Sequence, residues 1–124
     1  MKTHPSSELK LLVVEDEAVI SVNLEYILED LGHQVLGVAA SVERALELVA
    51  RFSADADGAV LDVNLGGKPS VPVAEALRAH GIPFVIASGY EPDELERLGF
   101  VEKGVSKPYS AREIDNALRL LPQR

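Results

Sequence analysis

Acid, acid, hydroxyl and ammonium follow one another at the ends of successive apolar runs in this chain. The run "KLLVVE" leads into Glu15, Asp16 and Glu17, "GAVLDV" contains Asp62, "IPFVIAS" ends on Ser88, and "SKP" supplies Lys107. Taken singly, an acid in such a place is more simply a helix cap or a solvated charge. As a set the four run ends point to chemistry. Carboxylates brought close together repel, so each takes up a proton or demands a cation; a hard divalent ion with oxygen ligands answers that demand, and Mg2+ is the available one. Asp62 is then a candidate nucleophile. Its attack on phosphorus would give an aspartyl phosphate, with the metal and a lysine neutralising the phosphoryl oxygens and a hydroxyl binding one of them. Lys107 and Ser88 suit those two roles. The small residues of "NLGG" after Asp62 would let backbone groups approach a metal or phosphoryl group, although Gly66 and Gly67 would serve a plain strand-to-helix turn equally well.

Those residues need elements to hold them. After the first apolar run, Ile20, Leu24, Ile27, Leu28 and Leu31 share one helical face before Gly32. "HQVLGVAA" reads as a second strand, and Ser41 caps a helix whose buried stripe is Val42, Ala45, Leu46 and Val49. "GAVLDV" is a third strand followed by a helix over about 71–80. "IPFVIAS" is the fourth, with Pro83 at its entry. "YEPDELERLG" supports at most two helical turns, and "FVEKGVSKP" holds a short fifth strand. Ser110 and Glu113 form a capping box for a last helix burying Ile114, Ala117, Leu118 and Leu121. Strands that are continuous apolar runs, alternating with helices, imply a doubly wound parallel sheet covered on both faces. In such sheets functional groups collect beyond the carboxyl ends of the strands, where Glu15, Asp62, Ser88 and Lys107 fall.

Composition bounds the possibilities. A chain of 124 residues that is 47% hydrophobic makes one domain with a real core. Twenty acidic against twelve basic residues give a net charge of −8 with no segregated basic patch, which argues against nucleic acid and anionic membrane surfaces as partners. With no cysteine there is neither a disulfide frame nor a thiolate metal site, and His4, His33 and His80 are too scattered for a ligand set, so they read as structural or solvated. No segment resembles a signal peptide or a membrane span, so the expected location is the cytoplasm.

The strings "LLVVEDE", "AVLDVNL", "VIASGY" and "SKPY", in this order and at these separations, resemble the receiver domain of bacterial two-component response regulators. The likeness runs from about Lys10 to Leu121. It implies a flavodoxin-like fold of five parallel strands in order 2-1-3-4-5 with a short or mobile fourth helix, a disordered tail over 1–9, a receiver over 10–121 and a C-terminal tail over 122–124. It also implies that Asp62 is the phosphoacceptor, that Glu15 and Asp16 hold Mg2+ together with Asp62 and the backbone carbonyl of Asn64, that Ser88 is the switch hydroxyl and that Lys107 is the active-site lysine. Two positions depart from common receivers: Gly66 replaces a proline four residues after the phosphoacceptor, and Gly104 replaces an aromatic switch residue three before the lysine. "PFVIASGYEPDEL" is instead similar to the variant receivers nicknamed FAT GUY, often stand-alone domains paired with sensor kinases of the HWE or related type.

The expected protein is a single-domain response regulator, phosphorylated by a sensor histidine kinase or phosphotransfer protein and acting as relay, phosphate sink or protein-binding switch on a downstream partner. It would catalyse only its own phosphorylation and dephosphorylation. Ser88 and Tyr90, with the 91–106 stretch, are the expected partner surface; the plainer alternative is that Tyr90 packs over the short helix. A small phosphohydrolase with an aspartyl nucleophile is disfavoured, because the second acid expected two residues on is Asn64 and no cap segment exists. A pseudo-receiver that only binds partners is argued against by the intact set Glu15, Asp16, Asp62, Ser88 and Lys107.

Overall fold

A computed structural model describes residues 8–89, 92–100, 102, 104–106 and 110–124. In chain order the elements are β1 (Lys10–Val14), α1 (Ala18–Asp30), β2 (Gln34–Ala39), α2 (Val42–Phe52), β3 (Gly58–Asp62), β4 (Asn64–Leu65), β5 (Lys68–Pro69), α3 (Val71–Ala79), β6 (Phe84–Ser88), α4 (Pro92–Arg97), β7 (Gly104–Ser106) and α5 (Ala111–Arg119). Five strands form one parallel sheet in the order β2-β1-β3-β6-β7, while β4 and β5 make a separate two-stranded antiparallel ribbon. With the ribbon set aside, the sheet order is the 2-1-3-4-5 expected of a flavodoxin-like receiver fold.

The strands are apolar on both faces because both faces are covered. Leu12, Val14, Ala59, Leu61, Phe84 and Ile86 point into a core shared with Ala45 and Val49 of α2 and Val73 and Leu77 of α3, and Leu95 of α4 packs against its edge. Leu11, Val13, Val60, Val85 and Ala87 point the other way, against Leu24 and Leu28 of α1 and Ile114, Ala117 and Leu118 of α5. Period-two alternation thus assigns each strand residue to one of two cores. Each fully buried leucine, isoleucine or valine contributes about 1.5–3 kcal/mol, so the central strands are the rigid part of the molecule.

The helices start and stop largely as their sequences dictate. The Ser41 hydroxyl accepts from the Arg44 amide at 3.2 Å, and Ser110 and Glu113 form the reciprocal capping box, at 3.0 and 3.2 Å. One expected core residue is displaced: Leu46 is 37% exposed, while Leu48 and Phe52 pack against the core beside Val42. At 100° per residue Leu46 falls outside the arc centred on Ala45 and Val49, and faces water. α4 is short, at 6 residues. Arg78 of α3 braces the connection that follows it, forking onto both Glu102 oxygens at 2.7 Å and donating to the Gly99 carbonyl at 3.1 Å.

His33 is structural, as its isolation from other ligand types implied. It is buried, and its Nδ1 accepts the Leu9 amide at 3.0 Å. Burial holds the imidazole below its ordinary value of 6.5, with Asp115 and Glu8 pulling the other way and Arg119 reinforcing the shift. The unfolded chain therefore binds this proton more readily than the folded one. His33 stabilises fully above pH ~6.5, and that contribution is lost as the pH falls below it. An NMR titration of the His33 ring should give a midpoint below 6.5, and acidification should destabilise the wild type more than His33→Gln; a midpoint at or above 6.5 contradicts this account of the ring.

Candidate functional site

Parallel register brings the acids together. Val14 of β1 pairs with Leu61 of β3, so Glu15 and Asp62 come next, side by side, at the carboxyl edge of the sheet. Asp62 pairs with Ala87 of β6, and Ser88 follows one residue later. The Glu15 amide extends the ladder by donating to the Ala39 carbonyl at 2.9 Å, which fixes the backbone from which Glu15 and Asp16 project.

Carboxylate oxygens of Glu15, Asp16 and Asp62 all lie within 4.8 Å of one another. Glu15 and Asp62 are buried and Asp16 is exposed. At an effective dielectric near 20, like charges at such separations repel by on the order of 3 kcal/mol per pair, less where water reaches them. Backbone donors offset part of this: the Glu17 amide donates to Glu15 Oε2 at 3.1 Å, the Asn64 amide to Asp62 Oδ1 at 3.3 Å and the Gly66 amide to Asp16 Oδ2 at 2.8 Å. For Asp16, burial pushes the carboxyl up, but backbone donors, the Gly66 amide above all and its own amide, help to outweigh it and leave it below the usual carboxylate value. The acids open onto a cleft of about 360 Å³ lined by Asp16, Glu17, Asp62, Asn64, Gly67, Ser88 and Gly89. A larger cleft of about 450 Å³ at the opposite end of the sheet is lined by Ile82, Phe84, Leu120 and Leu121; there Arg78 pairs with Glu102 and Arg124 donates to the Ala56 and His80 carbonyls, and its described lining holds no acid cluster.

The donor set fits a hard divalent cation. Three carboxylates with their oxygens this close are what such an ion coordinates, and Asn64 Oδ1 at the same place is buried with no hydrogen-bond partner among the described residues. Of the residues singled out from sequence, Glu15, Asp16, Asp62, Asn64 and Ser88 are thus gathered at one edge. Lys107 and Tyr90 lie outside the described residues.

The segment after Asp62, whose small residues suit either a close backbone approach or a plain turn, is an antiparallel hairpin. Asn64 pairs with Pro69 and Leu65 with Lys68 around Gly66 and Gly67, whose φ angles of +59° and +85° are both left-handed. This is the backbone a two-residue hairpin turn requires, and the reason both positions are glycine. Ser70 went unnoticed in the sequence. It is fully buried and heads α3, yet its hydroxyl makes no helix cap; it donates to the Asp62 carbonyl at 2.6 Å, while its amide donates to the Val63 carbonyl at 2.7 Å. Its only sequence signal is a serine just before an apolar-periodic run, which reads as an ordinary cap.

No protein-family model matches the chain. It is similar to the two-component response regulator PhoP of Pseudomonas aeruginosa, with 34% identity over 121 residues that cover 94% of this chain and 52% of that protein. The chain spans about half the length of the curated relatives it matches. Among solved structures it is similar to SdrG from Sphingomonas melonis, at 38% identity and a TM-score of 0.77, covering 91% of this chain and 95% of that one. It also resembles a response regulator receiver protein from Sinorhizobium medicae, at 27% identity and a TM-score of 0.78, covering 90% and 92%. Fold and acid edge define a doubly wound α/β domain with three carboxylates gathered at the carboxyl edge of its sheet. The chain belongs to the receiver-domain family of response regulators.

If the acids are held against their mutual repulsion, neutralising one should stabilise the protein without metal. Asp62→Asn, which keeps an acceptor for the Asn64 amide, should raise the melting temperature in chelator by about 4 °C, equivalent to ~1 kcal/mol. Added Mg2+ should stabilise the wild type more than the variant. Thermal denaturation with and without chelator checks both, and a variant less stable than wild type in chelator contradicts the repulsion argument.

Proposed function

We propose that this receiver accepts a phosphoryl group on Asp62 from a phosphohistidine, in a Mg2+-dependent reaction, and signals through a change in its surface. The carrying observation is the convergence of three carboxylates at the carboxyl edge of the sheet, with oxygens within 4.8 Å, at the mouth of an open cleft. Glu15, Asp16, Asp62 and the Asn64 backbone carbonyl would hold the cation, which when bound neutralises charge on the phosphoryl oxygens. An Asp62 carboxylate oxygen attacks phosphorus as the bond from phosphorus to the donor imidazole nitrogen breaks, and that electron pair leaves with the imidazole. The Ser88 hydroxyl, one residue beyond the Asp62 partner in β6, binds a phosphoryl oxygen; the Lys107 ammonium pairs with another.

The donor is a sensor histidine kinase or a phosphotransfer protein, for which the FAT GUY-like string "PFVIASGY" suggests the HWE type. A macromolecular donor must dock beside the cleft. The exposed apolar stripe Val19, Val22 and Tyr26 on α1, the helix that follows the acid pair, offers that surface. The phosphorylated form then acts on a downstream protein, as relay, sink or switch, through Ser88, Tyr90 and the stretch after them.

Intact-mass analysis tests the reading. Acetyl phosphate with Mg2+ should add one phosphoryl group to the wild type and none to Asp62→Asn, and chelation should abolish labelling. Tyr26→Ala should be labelled normally by acetyl phosphate but slowly by a phosphorylated histidine kinase. Equal labelling of Asp62→Asn, or labelling that survives chelation, would overturn the assignment.

A further inference from the structure

The β4–β5 hairpin touches both ends of the acid cluster. At its base, the Asn64 amide donates to Asp62 Oδ1 at 3.3 Å and the buried Ser70 hydroxyl donates to the Asp62 carbonyl at 2.6 Å. At its tip, the Gly66 amide donates to Asp16 Oδ2 at 2.8 Å, across fifty positions of sequence. Between these anchors the ribbon has only 2 residues per strand. A ribbon so short has little stability of its own. Buried Leu65, the Ser70 contacts and the Gly66 bond hold it in place, and it holds them.

The Gly66 bond has a further effect on Asp16. This aspartate is exposed and lies against two buried carboxylates of the same sign. Left to itself, its side chain lowers its energy by rotating out to water, away from Glu15 and Asp62. A backbone N–H donating to a carboxylate makes a short, charge-assisted bond roughly twice as strong as a neutral one. It restrains the rotation and keeps one oxygen of Asp16 among the other acids. The donor can sit there because Gly66 and Gly67 both take left-handed φ, which turns the amide outward at the tip of the hairpin.

We infer that the β4–β5 hairpin is a clamp that presets the cation site, with the Gly66 N–H as the positioning group for Asp16. The inference rests on the cation site under Proposed function and adds a residue to it that works through its backbone. Cation affinity is then set by the turn as well as by the acids. A cation drawing on Asp16 also pulls on the hairpin tip, so the exposed Gly66–Pro69 segment registers cation occupancy.

Two measurements on the full chain test this. Without metal, amide exchange followed by NMR should show Gly66 exchanging about tenfold more slowly in wild type than in Asp16→Ala, the protection expected of one charge-assisted bond. Titration with Mn2+, read by paramagnetic broadening and calorimetry, should give Gly66→Asn an affinity within about twofold of wild type, since Asn keeps the N–H and tolerates the left-handed turn. Gly66→Pro, which lacks the N–H and cannot take φ near +60°, should bind about tenfold more weakly. Equal Gly66 exchange in wild type and Asp16→Ala overturns the clamp, and decides the matter alone if Gly66→Pro does not fold. Mn2+ binding by Gly66→Pro as tight as or tighter than wild type also overturns it, while leaving the cation site standing. A wild type that binds no Mn2+ defeats the cation site and the clamp together.

Discussion

Repulsion among Glu15, Asp16 and Asp62 is the constraint around which the upper edge of this molecule is arranged. The polypeptide gains nothing in stability by bringing three carboxylates within 4.8 Å, two of them buried. What holds them is the register of β1 against β3, enforced by the apolar side chains on both faces of those strands. A one-residue slip of β1 would separate Glu15 from Asp62 and would also turn Leu11 and Val13 into the wrong core. Core packing and site geometry are therefore the same specification.

Backbone donors around the acids offset part of the repulsion. Amides of Glu17, Asn64 and Gly66 each donate to one of the three carboxylates, and the Ser70 hydroxyl secures the backbone beneath Asp62. A site prepared in this way is stabilised by whatever neutralises it. A divalent cation held by the three acids would do so, and a phosphoryl group on Asp62, as proposed, would change the charge again. A local charge event can thus be felt by the neighbouring elements. Beyond Ser88, α4 is 6 residues long, and the Arg78 fork onto Glu102 and Gly99 braces the described residues that follow it from outside the core.

Much of this was legible in the sequence, for physical reasons. Runs such as "KLLVV" and "FVIAS" are apolar throughout because both faces of the sheet are covered, and that pattern alone implies a doubly wound sheet with Glu15, Asp62 and Ser88 at its carboxyl edge. The capping box of Ser110 and Glu113 was equally plain. The hairpin was not, because strands of 2 residues carry no periodicity, and two glycines describe a turn without saying what it joins. Nor could the bond from Gly66 to Asp16 be read, since nothing local links residues fifty positions apart. Ser70 could not be singled out because its acceptor, the Asp62 carbonyl, is supplied by tertiary structure. Leu46 was misjudged because an apolar residue at the border of a helical stripe can face either way.

The central claim is that Asp62 carries the phosphoryl group, and reductive trapping addresses it at the level of a single residue. An acyl phosphate is reduced by borohydride to the alcohol, so a phosphorylated aspartate becomes homoserine. Treating the phosphorylated protein with borohydride and sequencing its peptides by mass spectrometry should place homoserine at position 62, dependent on Mg2+ during phosphorylation. Homoserine at another aspartate, or a phosphoryl group that resists borohydride and maps to a histidine or serine, would contradict the account.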